Sequence, residues 1–200
     1  HLGCYADARH TLRVRGMGCL YANQGVRYGD TRWDFDGQEI FKKAVKGMSQ
    51  ASDIALQKAG LTAADIDLLV PHQANLRIIE SVAKYAKVPM EKVFLTVDRY
   101  GNMSSATVPV ALVEAVEEGR VRPGSLLLTP GFGGGLTLCS HVIRWGRRVA
   151  PLGTSDAELP PLTRTALDIV NGYRAERARR GESEAGLQAP RFAEAGTDLT

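Results

Sequence analysis

Two hydrophobic periods alternate along the middle of this chain, and that alternation limits the folds open to it more than any other feature. Ile66 to Val70 reads as a buried strand stopping at Pro71, and Asn75 then offers a cap for a helix from Leu76 to about Lys87. Lys92 to Val97 reads as a strand, Asp98 to Met103 as a loop, and Ser104 to Glu118 as a helix closed by Gly119. Arg122-Pro123-Gly124-Ser125 turns the chain into a strand from Ser125 to Thr129. A glycine loop, Pro130 to Gly135, leads to a final strand from Leu136 to Trp145, expected to return antiparallel. Strands taking turns with helices predict an α/β fold, a mixed sheet with helices on both faces.

Upstream, Ile40, Phe41, Ala44, Val45, Met48, Ala51 and Ala55 recur at helical spacing, and Gly60 stops the run. Thr62-Ala63-Ala64-Asp65 has the form of a capping box opening one short turn. Leu2 to Trp33, rich in Gly, Arg and Tyr, is read as a starting strand followed by an irregular excursion. After Trp145 the composition shifts. Val149 to Pro161 reads as a linker, Arg164 to Arg180 as a helix with Leu167, Val170 and Tyr173 on one face, and Glu182 to Thr200 as a polar tip. The expected organisation is one domain over 1–148 and a linker with a helical tail over 149–200.

Composition sets the remaining limits. A net charge of +3 in 200 residues implies no large cationic surface, so nucleic acid is not an expected partner. No apolar run nears the roughly 20 residues of a membrane helix, and His1-Leu2-Gly3 carries no signal-peptide pattern, so a cytoplasmic protein off the membrane is expected. Cys4, Cys19 and Cys139 match neither a disulfide framework nor a zinc pattern, and are read as reduced thiols.

Ligands of open α/β sheets sit beyond the carboxyl ends of the strands. Three predicted strands end there in unusual residues: Pro71-His72-Gln73-Ala74-Asn75, Tyr100-Gly101-Asn102-Met103-Ser104-Ser105, and Gly131-Phe132-Gly133-Gly134-Gly135. If the strands are neighbours, the loops meet. A histidine and an asparagine amide can both donate to one developing oxyanion, each donor worth on the order of 10²–10³ in rate. A triglycine loop lets backbone N–H groups approach a ligand. The set suits a thioester or carbonyl oxygen. Each element has a plainer reading too: His72 as a structural strand-end residue, Asn102 as a turn residue, Gly133 to Gly135 as a bulge.

PHQANLRII, DRYGN-x-S-S-A and GFGGGLT, in this order and spacing, resemble β-ketoacyl-acyl-carrier-protein synthase III, a condensing enzyme of the thiolase-like superfamily, over about Gly37 to Trp145. The resemblance implies the C-terminal half of a duplicated fold. It implies an acyltransferase that joins an acyl group from coenzyme A to malonyl-carrier protein by decarboxylative condensation in fatty-acid initiation. His72 and Asn102 would be catalytic, Gly134 would lend an oxyanion N–H, and Phe132 would line the acyl pocket. Asn75, Gly37 and Phe41 would line the substrate channel. Arg77 would dock the acyl-carrier protein, or else is a solvated residue paired with Glu80. Lys42, Lys43 and Lys46 would extend that basic rim, or are ordinary surface lysines. Coenzyme A enters as substrate, with no metal or other cofactor. The complete enzyme is expected to be a homodimer.

The family's nucleophilic cysteine belongs to the other half, at the start of a buried helix, where the macrodipole lowers its pKa. None of the three cysteines here has that sequence setting, so a cysteine-bearing N-terminal half is the expected partner. Residues 5–36 match the family poorly, and Met103 stands where threonine is common in its bacterial members. Two alternatives stay open: a secondary-metabolism relative with another acyl substrate, and a non-catalytic subunit that partners a cysteine-bearing half.

Overall fold

The computed structural model describes residues 1–14, 33–150, 156, 158, 161 and 163–179. Most of the irregular excursion, including Cys19, lies outside them, as do much of the 149–161 linker and all of 182–200. The elements are β1 (Leu2–Cys4), β2 (Leu12–Val14), β3 (Trp33–Phe35), α1 (Gly37–Ala59), β4 (Leu68–Leu69), α2 (Leu76–Tyr85), α3 (Val97–Tyr100), α4 (Thr107–Glu117), β5 (Leu126–Gly133), β6 (Thr137–Arg144) and α5 (Ala166–Arg179). They fall into two compact units, His1–Leu152 and Gly153–Thr200. In the second, Asp168 holds the start of α5 by accepting from the Thr165 N–H at 2.9 Å and its hydroxyl at 2.7 Å. Leu167, Val170 and Tyr173 of α5 are exposed.

The first unit is built on a sheet of order β1-β6-β5-β4. β4 runs parallel to β5, while β6 is antiparallel to both β5 and β1. β2 and β3 form a separate antiparallel pair. Period-2 alternation sends Leu69 and Leu128 to one face, against Leu56 of α1 and Ile79 and Ala83 of α2. Leu68, Val70 and Leu127 go to the other, against Ala111 and Ala115 of α4. With helices on both faces, β4 and the start of β5 need an unbroken apolar run rather than an alternating one, as their sequence has.

Local chemistry sets the helix ends. The Asp36 carboxylate accepts from Glu39 N–H at 3.0 Å and caps α1. Gly60, at φ 66°, closes it in the left-handed conformation that costs glycine least. Within α1, a Cβ on Gly47 would come within 2.8 Å of Leu138 in β6, so glycine lets the helix lie close on the sheet. Thr62 donates from N–H and hydroxyl to Asp65 at 2.8 and 2.7 Å, forming the short turn expected there.

Two predicted elements differ. Lys92 to Val97 is not a strand: a turn at Met90–Lys92 leads to a single parallel bridge, Leu69 to Val93, and α3 begins at Val97. The physical reason is competition for backbone donors. The N–H groups of Thr96 and Val97, which would extend a ladder, are taken by the side chain of Gln73. Pro130 to Gly133 is not a loop either. β5 continues through it, paired residue for residue with Ser140 back to Thr137, leaving only the tight turn to β6 at Gly134–Leu136.

Candidate functional site

His72 leaves β4 directly after Pro71. Its backbone N–H donates to Pro130 O at 2.8 Å, tying the residue to β5 where that strand enters its glycine stretch. The next residue, Gln73, is fully buried and makes four hydrogen bonds. Its Nε2 donates to Pro71 O (2.9 Å) and Phe94 O (3.1 Å), and its Oε1 accepts from Thr96 N (2.9 Å) and Val97 N (3.2 Å). Two carbonyls on one side and two N–H groups on the other leave one orientation for the amide. Gln73 thereby welds the histidine loop to the segment that leads into α3.

A chain of hydrogen bonds then joins His72 to Asn102. His72 Nδ1 lies 2.6 Å from the hydroxyl of Thr107, the buried first residue of α4. That hydroxyl donates to Ser104 O at 2.9 Å, and the Ser104 N–H donates to Asn102 Oδ1, also at 2.9 Å. Ser104 sits at φ 57°, in the left-handed region, with its N–H on Asn102 and its C=O on the Thr107 hydroxyl that meets His72. With Oδ1 engaged by a donor, the Asn102 amide has its Nδ2 hydrogens left to give. His72 is half-buried, and that burial pushes its pKa below the ordinary histidine value, favouring the neutral imidazole. Asn102 is exposed.

Phe132 and Phe41, with Ala74, pack as half-buried groups against Ala44, Val45, Met48, Ile78 and Val82 at the junction of α1 and α2. Asn75 caps α2 by accepting from Ile78 N–H at 2.9 Å, and it lines a groove of about 670 Å³ with Leu76, Phe94, Val97, Arg99 and Arg120. His72, Asn102 and Gly134 are not in the lining of that groove. Gly37 opens α1 beside the Phe35 ring. Gly134 is exposed at the β5–β6 turn, where its carbonyl accepts from the Thr137 hydroxyl at 3.2 Å. Arg77 is exposed on α2, and among the described residues no ion pair joins it to Glu80. Lys43 meets Asp7 and Glu39 at 3.8 and 3.7 Å, whereas Lys42 and Lys46 are exposed.

Sequence reasoning did not single out Gln73, Ser104 or Thr107. A buried amide after a histidine and a threonine opening an otherwise apolar helix carry weak signals, because the partners that tie them to other segments lie 21 to 35 residues away. Cys4 and Cys139 lie in β1 and β6, neither at the start of a helix.

This arrangement can bind a developing oxyanion through the Asn102 amide and exchange a proton through His72. Comparison with known proteins gives it a context. Residues 56–145 match the family described as 3-Oxoacyl-[acyl-carrier-protein (ACP)] synthase III C terminal. The chain is 44% identical over 183 residues to a beta-ketoacyl-[acyl-carrier-protein] synthase III 2 of Vibrio cholerae, covering 92% of this chain and 50% of that protein. The crystal structure of the synthase III of Thermus thermophilus is 42% identical, with a TM-score of 0.65 over 74% of this chain and 46% of that one. A priming beta-ketosynthase from the R1128 polyketide biosynthetic pathway is 33% identical, with a TM-score of 0.65 over 73% of this chain and 44% of that one. The chain spans about half the length of the curated relatives it matches. The fold of the first unit is therefore half of a thiolase-like fold.

Proposed function

We propose that this chain is the C-terminal half of a condensing acyltransferase, because residues 56–145 match the synthase III C-terminal family. In the complete enzyme a cysteine would take an acyl group from coenzyme A and pass it to the carbanion formed when malonyl-acyl-carrier protein loses carbon dioxide. Electrons from the breaking C–C bond move onto the thioester oxygen, and His72 and Asn102 hold that oxygen. Gly134 N–H holds the tetrahedral oxyanion of the condensation, and Phe132 borders the acyl chain. Asn75, Gly37 and Phe41 line the approach of the substrate arm, and Arg77 meets the acidic carrier protein. The nucleophile comes from a cysteine-bearing N-terminal half, and the complete enzyme is a cytoplasmic homodimer. No metal or redox cofactor is called for, since the thioester supplies the activation.

The observation that carries this reading is the hydrogen-bond chain from His72 through Thr107 and Ser104 to Asn102. It ties together two residues 30 positions apart whose chemistry suits one oxyanion. The test is malonyl-thioester decarboxylation by the 200-residue chain with and without a cysteine-bearing half. His72→Ala and Asn102→Ala run beside it. Activity that appears on complementation and falls in both variants by on the order of 10²-fold or more is expected. No activity with both halves folded and associated would favour a non-catalytic subunit. A secondary-metabolism reading draws support from the similarity to the polyketide priming enzyme. A panel of acyl-CoA primers separates the two, since strict preference for short primers would exclude it.

A further inference from the structure

We propose that Thr107 is a positioning residue that holds neutral His72 as the Nδ1–H tautomer and leaves the lone pair on Nε2. Thr107 Oγ1 lies 2.9 Å from Ser104 O, and a carbonyl oxygen can only accept. A hydroxyl has one proton, so the proton of Thr107 goes to Ser104. At 2.6 Å from His72 Nδ1, the same hydroxyl oxygen can then only accept, and the shared proton must sit on Nδ1. Among the described residues no hydrogen bond reaches Nε2. Thr107 is 1% exposed, so water does not compete for its hydroxyl. The backbone keeps the arrangement in place, with Ser104 N–H anchored on Asn102 and His72 N–H anchored on Pro130.

The consequence for chemistry rests on the condensing-enzyme reading. A neutral ring protonated at Nδ1 presents Nε2 as a base. It can take the proton of a cysteine thiol: the S–H bond breaks, the Nε2–H bond forms, and the electron pair stays on sulfur. When the thiolate attacks the acyl-CoA carbonyl and the C–S bond to coenzyme A breaks, the same proton returns to the leaving thiolate. In this state His72 cannot donate to an oxyanion. It shares the malonyl thioester oxygen with Asn102 only after Nε2 takes up a further proton from solvent, as the imidazolium whose Nδ1–H bond to Thr107 is retained. The Asn102 amide is thus the donor available at every stage, and the two residues divide the work rather than duplicate it.

The tautomer is read directly by ¹⁵N NMR of the 200-residue chain labelled at histidine, with His72→Gln assigning the signal among the four histidines. Above the His72 pKa, Nδ1 is expected to show the protonated signature and Nε2 the unprotonated one. Thr107→Val, which keeps the shape and removes the hydroxyl, should move the neutral ring to predominantly Nε2–H, and Thr107→Ser should restore Nδ1–H. A wild-type signal with the proton on Nε2 would overturn the proposal, as would a Thr107→Val ring that stays Nδ1–H. If Thr107→Val does not fold, the wild-type and Thr107→Ser signals decide it alone. The same samples, complemented with a cysteine-bearing half, separate the two readings. The expected tautomer without decarboxylation defeats the enzyme and spares Thr107. Decarboxylation with the opposite tautomer defeats Thr107 and spares the enzyme.

Discussion

Replacing Gln73 tests how the site is held. In Gln73→Leu the side chain keeps most of its volume and loses all four hydrogen bonds. Two N–H groups, of Thr96 and Val97, and two carbonyls, of Pro71 and Phe94, lose their side-chain partner. Thr96 is 0% exposed and Phe94 3%, so water cannot replace the amide. A buried group left unsatisfied costs about 1–3 kcal/mol. Counting Thr96 N–H near the top of that range, the longer Val97 contact lower, and allowing for the apolar gain of leucine, the loss comes to about 3–5 kcal/mol. That is a large part of the roughly 5–15 kcal/mol holding a typical domain together. With a urea m-value of about 2 kcal/mol/M, the midpoint should fall by about 2 M at unchanged m. A fall below about 0.5 M would refute the weld between the histidine loop and α3. Gln73→Glu sharpens the test. One carboxylate oxygen can still accept from Thr96 and Val97, but the other faces two carbonyls, so the folded state needs the carboxyl protonated and its pKa rises. The stability of this variant should be best below about pH 4.3, the unfolded value for glutamate, and be lost as pH rises through the folded value. Equal stability at pH 4 and pH 8 would count against the orientation of the amide.

Three further outcomes are expected. Leu128→Ala, at a fully buried position between β4 and the helices α1 and α2, should cost about 2–5 kcal/mol by urea unfolding, and less than 1 kcal/mol would mean that the cluster collapses around it. Asn75→Ala removes the cap of α2 and should cost about 1 kcal/mol, whereas Asn75→Asp should retain most of it, both read as shifts in urea midpoint. Since burial lowers the pKa of His72 in the fold, its contribution to stability is complete above about pH 6.5 and is lost as pH falls from there through the folded value. His72→Gln should therefore show a shallower loss between pH 7.5 and pH 5.5 than the parent, and parallel curves would mean that the ring stays solvated.

The helices were legible because their signals are local. The period of Ile40 to Ala55, the stop at Gly60, the cap at Asn75 and the turn at Thr62–Asp65 each involve residues within a few positions, and the structure has all of them. The antiparallel return of β6 was legible for the same reason, since only a tight glycine turn separates it from β5. The segment from Lys92 to Val97 misled because its apolar pattern is that of a strand, while its backbone donors are claimed by an amide more than 20 residues earlier. Nothing in the local pattern reveals such competition.

The same division runs through the candidate site. The sequence by itself determined which chemistry was present: a histidine, an asparagine and a glycine stretch at the ends of apolar runs, in a spacing that one enzyme family shares. It could not determine how they are joined. Thr107 acquires its role only when the end of β4 meets the start of α4, and Gln73 only when it meets the segment leading into α3. A hydrogen bond needs its partners within about 3 Å, and the parallel pairing of β4 with β5 brings together residues nearly 60 positions apart. Only the packed fold decides which ring nitrogen of His72 carries its proton, because that depends on Thr107, 35 positions away, whereas the Asn102 amide is oriented locally by the Ser104 N–H.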